Sequence, residues 1–313
     1  MRLIFAGTPD VAVPSLHALV DAGHDIVAVV TRRDAPLGRR RVLTPSPVAA
    51  AADDLGLDVV KANRLDEAVT DRLVALDADL GVVVAYGGLV REPLLSAPRL
   101  GWVNLHFSLL PRWRGASPVQ RAIAAGDSAT GAAVFRLVPE LDAGDVYGVV
   151  ERTIDDHDTA GSLLHGLSED GAALLTRVVD ELAGGSATAV PQDGEVTLAP
   201  KLALDDARID WSLPLEAVDA RIRAVTPEPG AFTTVDGVRV KVLEARPIEP
   251  SDDDAADAST ELRPGAIRAA GRRVLAGTAT RALHLLRVQP AGKQPMAASD
   301  WWRGVPVDEA VAE

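Results

Sequence analysis

The sequence predicts an α/β fold: a mostly parallel sheet with helices on both faces in the first half, and a small β-barrel or sandwich in the last third. In the first 105 residues, short apolar runs rich in β-branched side chains alternate with stretches of helical periodicity, the pattern of a sheet built from crossover units. From 231 to 290 that periodicity gives way to short strand-like runs separated by turn signals. The 313 residues, 47% apolar and 25% charged, suit an ordinary globular chain of about two domains.

In order along the chain, residues 3–6 read as a buried strand. Leu16, Leu19 and Val20 then mark one face of a helix over 14–22 that Gly23 stops. Residues 26–30 form the next strand, and a basic stretch, 31–43, follows. Helical patterns over 46–55 and 66–76 flank a brief strand at Val59-Val60. Leu80-Gly81-Val82-Val83-Val84-Ala85 and residues 102–105 are further strands. Residues 130–137 and 146–154 read as strands around the turn Leu141-Asp142-Ala143-Gly144-Asp145, and 159–183 as a long helix stopped by Gly184-Gly185-Ser186. After a connector with weak strand signals, 187–203, Leu215, Val218, Ile222 and Val225 line one face of a helix. Strands at 231–235, 238–244, 265–269, 273–276 and 282–289 close the pattern, with the acidic run 251–259 as a solvated loop between them.

Several chemistries are excluded. With no cysteine there is no disulfide framework, thiolate nucleophile or cysteine zinc site. The net charge of −13 leaves no global basic footprint, so contact with nucleic acid must come from a local patch. The six His show no metal-ligand spacing, and neither a Walker loop nor a nucleophile elbow occurs. Gly7-Thr8-Pro9-Asp10 after the first strand lacks dinucleotide-binding spacing. The N-terminal apolar run is too short for a signal peptide and no stretch would span a bilayer, so a soluble, cytoplasmic protein without a metal is expected.

In open α/β sheets ligands bind beyond the carboxyl ends of the strands, which directs attention to the segments after Ala6, Thr31, Ala85 and Leu105. Strand alternation puts Asn104 and His106 on one face, where they can donate two hydrogen bonds to a developing oxyanion. The plain alternative is a strand-ending Asn beside a half-buried His. The loop Ser108-Leu109-Leu110-Pro111-Arg112-Trp113-Arg114-Gly115 follows at once. Asp142 is a routine turn residue by itself and gains weight only in combination with His106, which a carboxylate would orient and hold protonated. Arg32, Arg33, Arg39, Arg40 and Arg41 crowd one shaped loop of an acidic chain. That is either a solvated loop or a polyanion contact.

Eight strings in register resemble the methionyl-tRNA formyltransferases, within the wider folate-dependent formyltransferase family. They are Phe5-Ala6-Gly7-Thr8-Pro9-Asp10, Pro45-Ser46-Pro47-Val48, Val83-Val84-Ala85-Tyr86-Gly87, Asn104-Leu105-His106, the loop from Ser108 to Gly115, Leu141 to Asp145, Ala207-Arg208-Ile209-Asp210-Trp211 and Gln289-Pro290-Ala291-Gly292-Lys293. The resemblance implies a Rossmann-like catalytic domain over 1–186, a linker over 187–203 and an OB-like tRNA-binding barrel over 204–313. It implies transfer of the formyl group of 10-formyltetrahydrofolate to the α-amine of initiator methionyl-tRNA. Asn104, His106 and Asp142 form the catalytic trio, with Asn104 and protonated His106 steadying the oxyanion while Asp142 holds His106 charged. By the same resemblance Ser108, Leu109, Leu110 and Pro111 line the folate site, with Val84 and Tyr86 as the facing wall. The Arg32 to Val42 loop, with Arg39 at its tip, enters the tRNA acceptor end, and Arg221, Arg223, Lys241 and Lys293 are further tRNA contacts. A monomer is expected.

The sequence departs from the family pattern at Phe107, where a small residue or Pro is expected, at Glu228, where relatives carry Trp, and in the run of three Arg after Gly38. Two other formyl-transfer readings share the core: transfer to an amino sugar and hydrolysis of the folate donor. A non-catalytic nucleotide-binding module is the alternative outside enzymology.

Overall fold

The computed structural model describes residues 1–38, 41–248 and 262–313. These fall into two compact units. One comprises Met1–Pro118, Ala129–Thr153 and Leu164–Pro200, and the other Val119–Ser128, Ile154–Leu163 and Lys201–Glu313. Residues 187–200 of the connector thus make their contacts within the first unit.

The first unit is built on a seven-stranded sheet. β1 (Arg2–Gly7), β2 (Asp25–Thr31), β5 (Val59–Lys61), β6 (Leu80–Val84) and β7 (Trp102–His106) run parallel, while β9 (Ala129–Arg136) and β10 (Val146–Thr153) add two antiparallel pairings at one side. The order is β10-β9-β7-β6-β1-β2-β5, so the connection reverses on either side of the central β1. Strands covered on both faces must be apolar throughout, which explains the unbroken burial of β6 and of Leu3, Ile4, Phe5 and Ala6 in β1. The helices α1 (Val13–Asp21), α2 (Pro47–Asp54) and α3 (Glu67–Val74) return the chain between strands. α2 begins where Ser46 Oγ accepts the Ala49 N–H at 3.0 Å with Pro47 at its first position, and α3 where Asp66 caps Val69. Trp102 lies flat over Gly81, where a Cβ would fall 2.0 Å from the indole. That contact seats β7 against β6.

The basic stretch is a hairpin rather than an irregular loop. β3 (Ala35–Leu37) pairs with β4 (Val42–Thr44), and Leu37 opposes Val42. Arg39 and Arg40 lie outside the described residues. The turn Gly38 takes φ 68, which favours glycine, and the antiparallel pairing satisfies backbone groups that a free loop would leave to water. Two further elements were not foreseen: α4 (Pro118–Ala125), and the two-residue pairing of β8 (Arg114–Gly115) with β11 (Leu198–Ala199). The long helix appears as α5 (Ala160–Gly184).

The second unit carries the expected barrel. β12 (Phe232–Val235), β13 (Val238–Pro247), β16 (Ala282–Pro290), β15 (Arg273–Gly277), β14 (Ala266–Ala270) and β18 (Glu309–Val311) pair antiparallel in that order, with β17 (Met296–Ala297) beside β16. A bridge between Val235 and Ala312 nearly closes it, Thr234 and Glu313 exchanging N–H···O bonds of 3.0 and 2.9 Å. The apolar face foreseen for α6 (Leu215–Ala224) is buried in this core, with Trp211, Phe232, Val242 and Ile267. The Trp211 indole donates to Thr233 Oγ1 at 3.0 Å. Glu228 is exposed, so the departure there is a surface change. The acidic run 251–259 lies outside the described residues.

Candidate active site

The site grows from the carboxyl end of β7. Alternation turns Trp102, Asn104 and His106 to one face, the face that Val83, paired with Asn104, also lines. His106 is buried, its side chain 7% exposed, with the Phe135 ring edge-on at 6.3 Å. Its Nε2 lies 2.9 Å from the Trp113 carbonyl oxygen. A carbonyl only accepts, so Nε2 carries a proton and Nδ1 is the nitrogen left to exchange one.

The Trp113 carbonyl is aimed by its loop. Trp113 takes φ 61, and its N–H donates to Thr197 Oγ1 at 2.8 Å. The Arg114 N–H donates to the Thr197 carbonyl at 2.9 Å, and Ser108 Oγ to the Arg112 carbonyl at 2.7 Å. Asp142 approaches from the turn between β9 and β10, also left-handed at φ 45. Its Oδ2 accepts the Gly115 N–H at 2.8 Å and lies 3.8 Å from His106 Nδ1.

At 3.8 Å Asp142 is a through-space charge and not a hydrogen-bond partner of the imidazole. Burial lowers the His106 pKa from 6.5, and the opposing pulls of Asp142 and the Trp113 carbonyl do not overcome it. Burial thus works against the resting imidazolium that the family resemblance leads one to expect. The direction favours the neutral ring at rest, with the Nδ1 lone pair on the Asp142 side, because desolvating the cation opposes a carboxylate that lies beyond bonding distance.

Asn104 is half-buried, and its amide makes no hydrogen bond among the described residues. Leu109 and Leu110 are half-buried, and Leu109 packs where a Cβ on Gly131 would fall 2.5 Å from its methyl carbon. Ser108 and Pro111 are buried, and the Ser108 hydroxyl is already engaged. Phe107 is buried as well. Val84 and Tyr86 are buried side chains, the Tyr86 hydroxyl donating to the Ala62 carbonyl at 2.8 Å, so they can meet a ligand only through their backbone.

The basic residues divide. Arg32 is held within the chain: its guanidinium donates to the Tyr86 carbonyl at 3.4 Å and to the Gly87 carbonyl. Arg221 donates to the Asp206 carbonyl at 2.8 Å, and Lys241 to the Pro229 carbonyl at 2.9 Å. Arg223 pairs with Asp219 at 2.7 Å in a mostly buried bridge, where burial pushes the Asp219 carboxyl up although Arg223 pulls it down. These three hold the second unit's own fold, through acceptors that sequence spacing does not reveal. Arg33, Arg41 and Lys293 are exposed. Arg33 and Arg41 flank the hairpin's apolar Leu37 and Leu43, 66% and 68% exposed.

Sequence reasoning missed the contribution of the connector, which supplies Thr197 and Gln192. The weak strand signal there was its only trace. Among the described residues no three His, Cys, Asp or Glu side chains gather as a metal site. No described helix is long and apolar enough to cross a membrane.

Residues 1–179 match the formyl transferase family, and residues 201–306 the formyl transferase C-terminal domain. The chain is similar to the methionyl-tRNA formyltransferase of Clavibacter michiganensis subsp. michiganensis, 58% identical over 312 residues and 100% of both chains. It is also similar to that of Leifsonia xyli subsp. xyli, 60% identical over 304 residues and 97% of both. Among solved structures, an N-formyltransferase from Helicobacter canadensis in complex with folinic acid and dTDP-3-aminofucose shares the fold. Its TM-score is 0.68 at 14% identity, covering 91% of this chain and 98% of that one.

Proposed function

The chain belongs to the methionyl-tRNA formyltransferase family, and from that premise we propose how its own residues accomplish the transfer. The acceptor is the α-amine of methionine on initiator tRNA, and the donor is 10-formyltetrahydrofolate. The observation that carries the reading is the buried His106, held through Nε2 by the Trp113 carbonyl and facing Asp142 through Nδ1.

When bound, the folate supplies an electrophilic formyl carbon and a nitrogen leaving group. An amine that attacks a carbonyl must shed a proton, and His106 Nδ1 is positioned to take it. The imidazolium so formed is stabilised by the Asp142 carboxylate, whose value therefore lies in the charged state along the reaction and not in the resting state. His106 then returns the proton to the departing nitrogen, so the enzyme ends the cycle unchanged. Asn104 offers its amide, which has no partner among the described residues, to the formyl oxygen as charge develops there. The partly exposed Leu109 and Leu110 present an apolar surface suited to a flat ring system. Ser108 and Pro111 contribute by shaping the loop.

On the tRNA side, the exposed Arg33 and Arg41 at the hairpin support its role as the element that meets the acceptor end. Lys293 is the exposed cation of the barrel set. The test is formyl transfer from 10-formyltetrahydrofolate to charged initiator tRNA, with elongator methionyl-tRNA alongside. Rapid initiator-selective formylation is expected. Folate turnover that leaves both tRNAs unformylated would overturn the assignment of the acceptor.

A further inference from the structure

Gln192 is half-buried in the connector, and its amide uses every hydrogen-bonding position it has. Nε2 donates to the Asp142 carbonyl at 2.8 Å and to the Gly144 carbonyl at 2.9 Å. Oε1 accepts from Arg114 Nη2 at 2.7 Å and Nε at 3.1 Å. One side chain thus ties together the turn that carries Asp142 and the loop that carries the Trp113 carbonyl, the two groups facing the two nitrogens of His106.

Both segments need such a tie. Asp142 and Trp113 each hold a left-handed backbone that non-glycine residues avoid, at φ 45 and φ 61. The Asp142 turn is pressed against the end of β9, where a Cβ on Gly144 would fall 1.8 Å from the Arg136 carbonyl oxygen. Gln192 is itself held in register by paired N–H···O bonds of 2.8 and 2.9 Å between Val146 and Val190. Gly115 N–H to Asp142 Oδ2 is a second link between turn and loop, and it uses the carboxylate itself.

We infer that Gln192 is a positioning residue of the formyl transfer: its amide fixes the separation of Asp142 from His106, and so the ease with which His106 takes up a proton. The inference rests on the catalytic reading above. Glu at this position keeps the acceptors for Arg114 but cannot donate to the two carbonyls. Ala loses both arms.

The test uses the full-length Gln192→Ala and Gln192→Glu variants, each combined with Asp142→Asn. Gln192→Ala is expected to lower kcat about 10²-fold, the scale of an ångström-sized misplacement, with each KM within a few-fold of the parent. Gln192→Glu is expected to keep the parent's melting temperature within a few degrees and still lose at least about tenfold. In the substrate-free protein, NMR titration of His106 should show its pKa lower still in Gln192→Ala, since Asp142 is no longer held close. If Gln192 acts through Asp142, adding either variant to Asp142→Asn costs little more. Full multiplicative losses, or a His106 titration in Gln192→Ala identical to the parent's, would overturn the positioning role. A failure of the catalytic reading shows separately, as an Asp142→Asn enzyme as fast as the parent.

Discussion

Replacing Asp142 by Asn removes a charge 3.8 Å from His106 Nδ1 while leaving an oxygen to accept the Gly115 N–H, so the turn is expected to survive. At an effective dielectric of about 20, two unit charges at that distance interact by about 4 kcal/mol. Burial favours the neutral ring at rest, so this attraction is gained as the imidazolium forms. The whole amount therefore falls on the barrier, and Asp142→Asn should slow transfer roughly 10³-fold. The assay is single-turnover formylation of initiator methionyl-tRNA by variant and parent from about pH 5.5 to 8.5. The substrate ammonium, with a pKa of about 8, cancels in the ratio of the two rates. The deficit should be widest at high pH and should narrow as the pH falls below the parent's His106 pKa, where the parent is inactivated first. That pKa lies below 6.5. A deficit under tenfold, with an unchanged acid limb, would refute the reasoning.

Asn104→Ala should cost about 10² to 10³ in kcat as the loss of one oxyanion donor, with thermal stability unmoved because the amide has no partner among the described residues. Unchanged kcat would remove Asn104 from the site. The double variant Arg33→Ala, Arg41→Ala should raise KM for tRNA, spare that for folate and flatten the log–log salt dependence by roughly 1 to 2 units. An unaltered salt slope would mean that the hairpin does not meet phosphate. Gly81→Ala places a methyl 2.0 Å from the Trp102 ring and should destabilise the fold by about 1–3 kcal/mol in urea titration. The His106 pKa is lower in the folded than in the unfolded chain, so the unfolded chain binds the proton first. Stability should therefore fall as pH drops below 6.5. His106→Gln should make that fall shallower in thermal melts, with a remaining slope from His24, which burial also depresses. Equal slopes would show that His106 is not desolvated.

Period-two alternation through residues 102–106 was enough to place Asn104 and His106 on one face, because a strand's geometry is local. The same holds for the buried strands β1 and β6 and for the apolar face of α6. Asp142 could be set in a tight turn from Gly144 and its neighbours, although its distance to His106 could not. The hairpin at 35–44 escaped because its charges and exposed apolar side chains do not alternate as a half-buried strand does. Arg32, Arg223 and Lys241 looked available in the sequence. Their partners are carbonyls and a carboxylate brought close by folding, such as Tyr86 across 54 residues from Arg32.

By itself, then, the sequence determined the alternation of strands and helices, the barrel that follows and the identity of the Asn-x-His pair, since these depend on periodicity and on side-chain type. Only the tertiary structure decided the burial of His106 and its distance from Asp142, the anchoring of Arg32 and the contacts of Thr197 and Gln192. Those outcomes depend on desolvation and on distances between residues far apart in the chain, such as the 2.8 Å from Gln192 to the Asp142 carbonyl. Neither quantity is written in a local pattern.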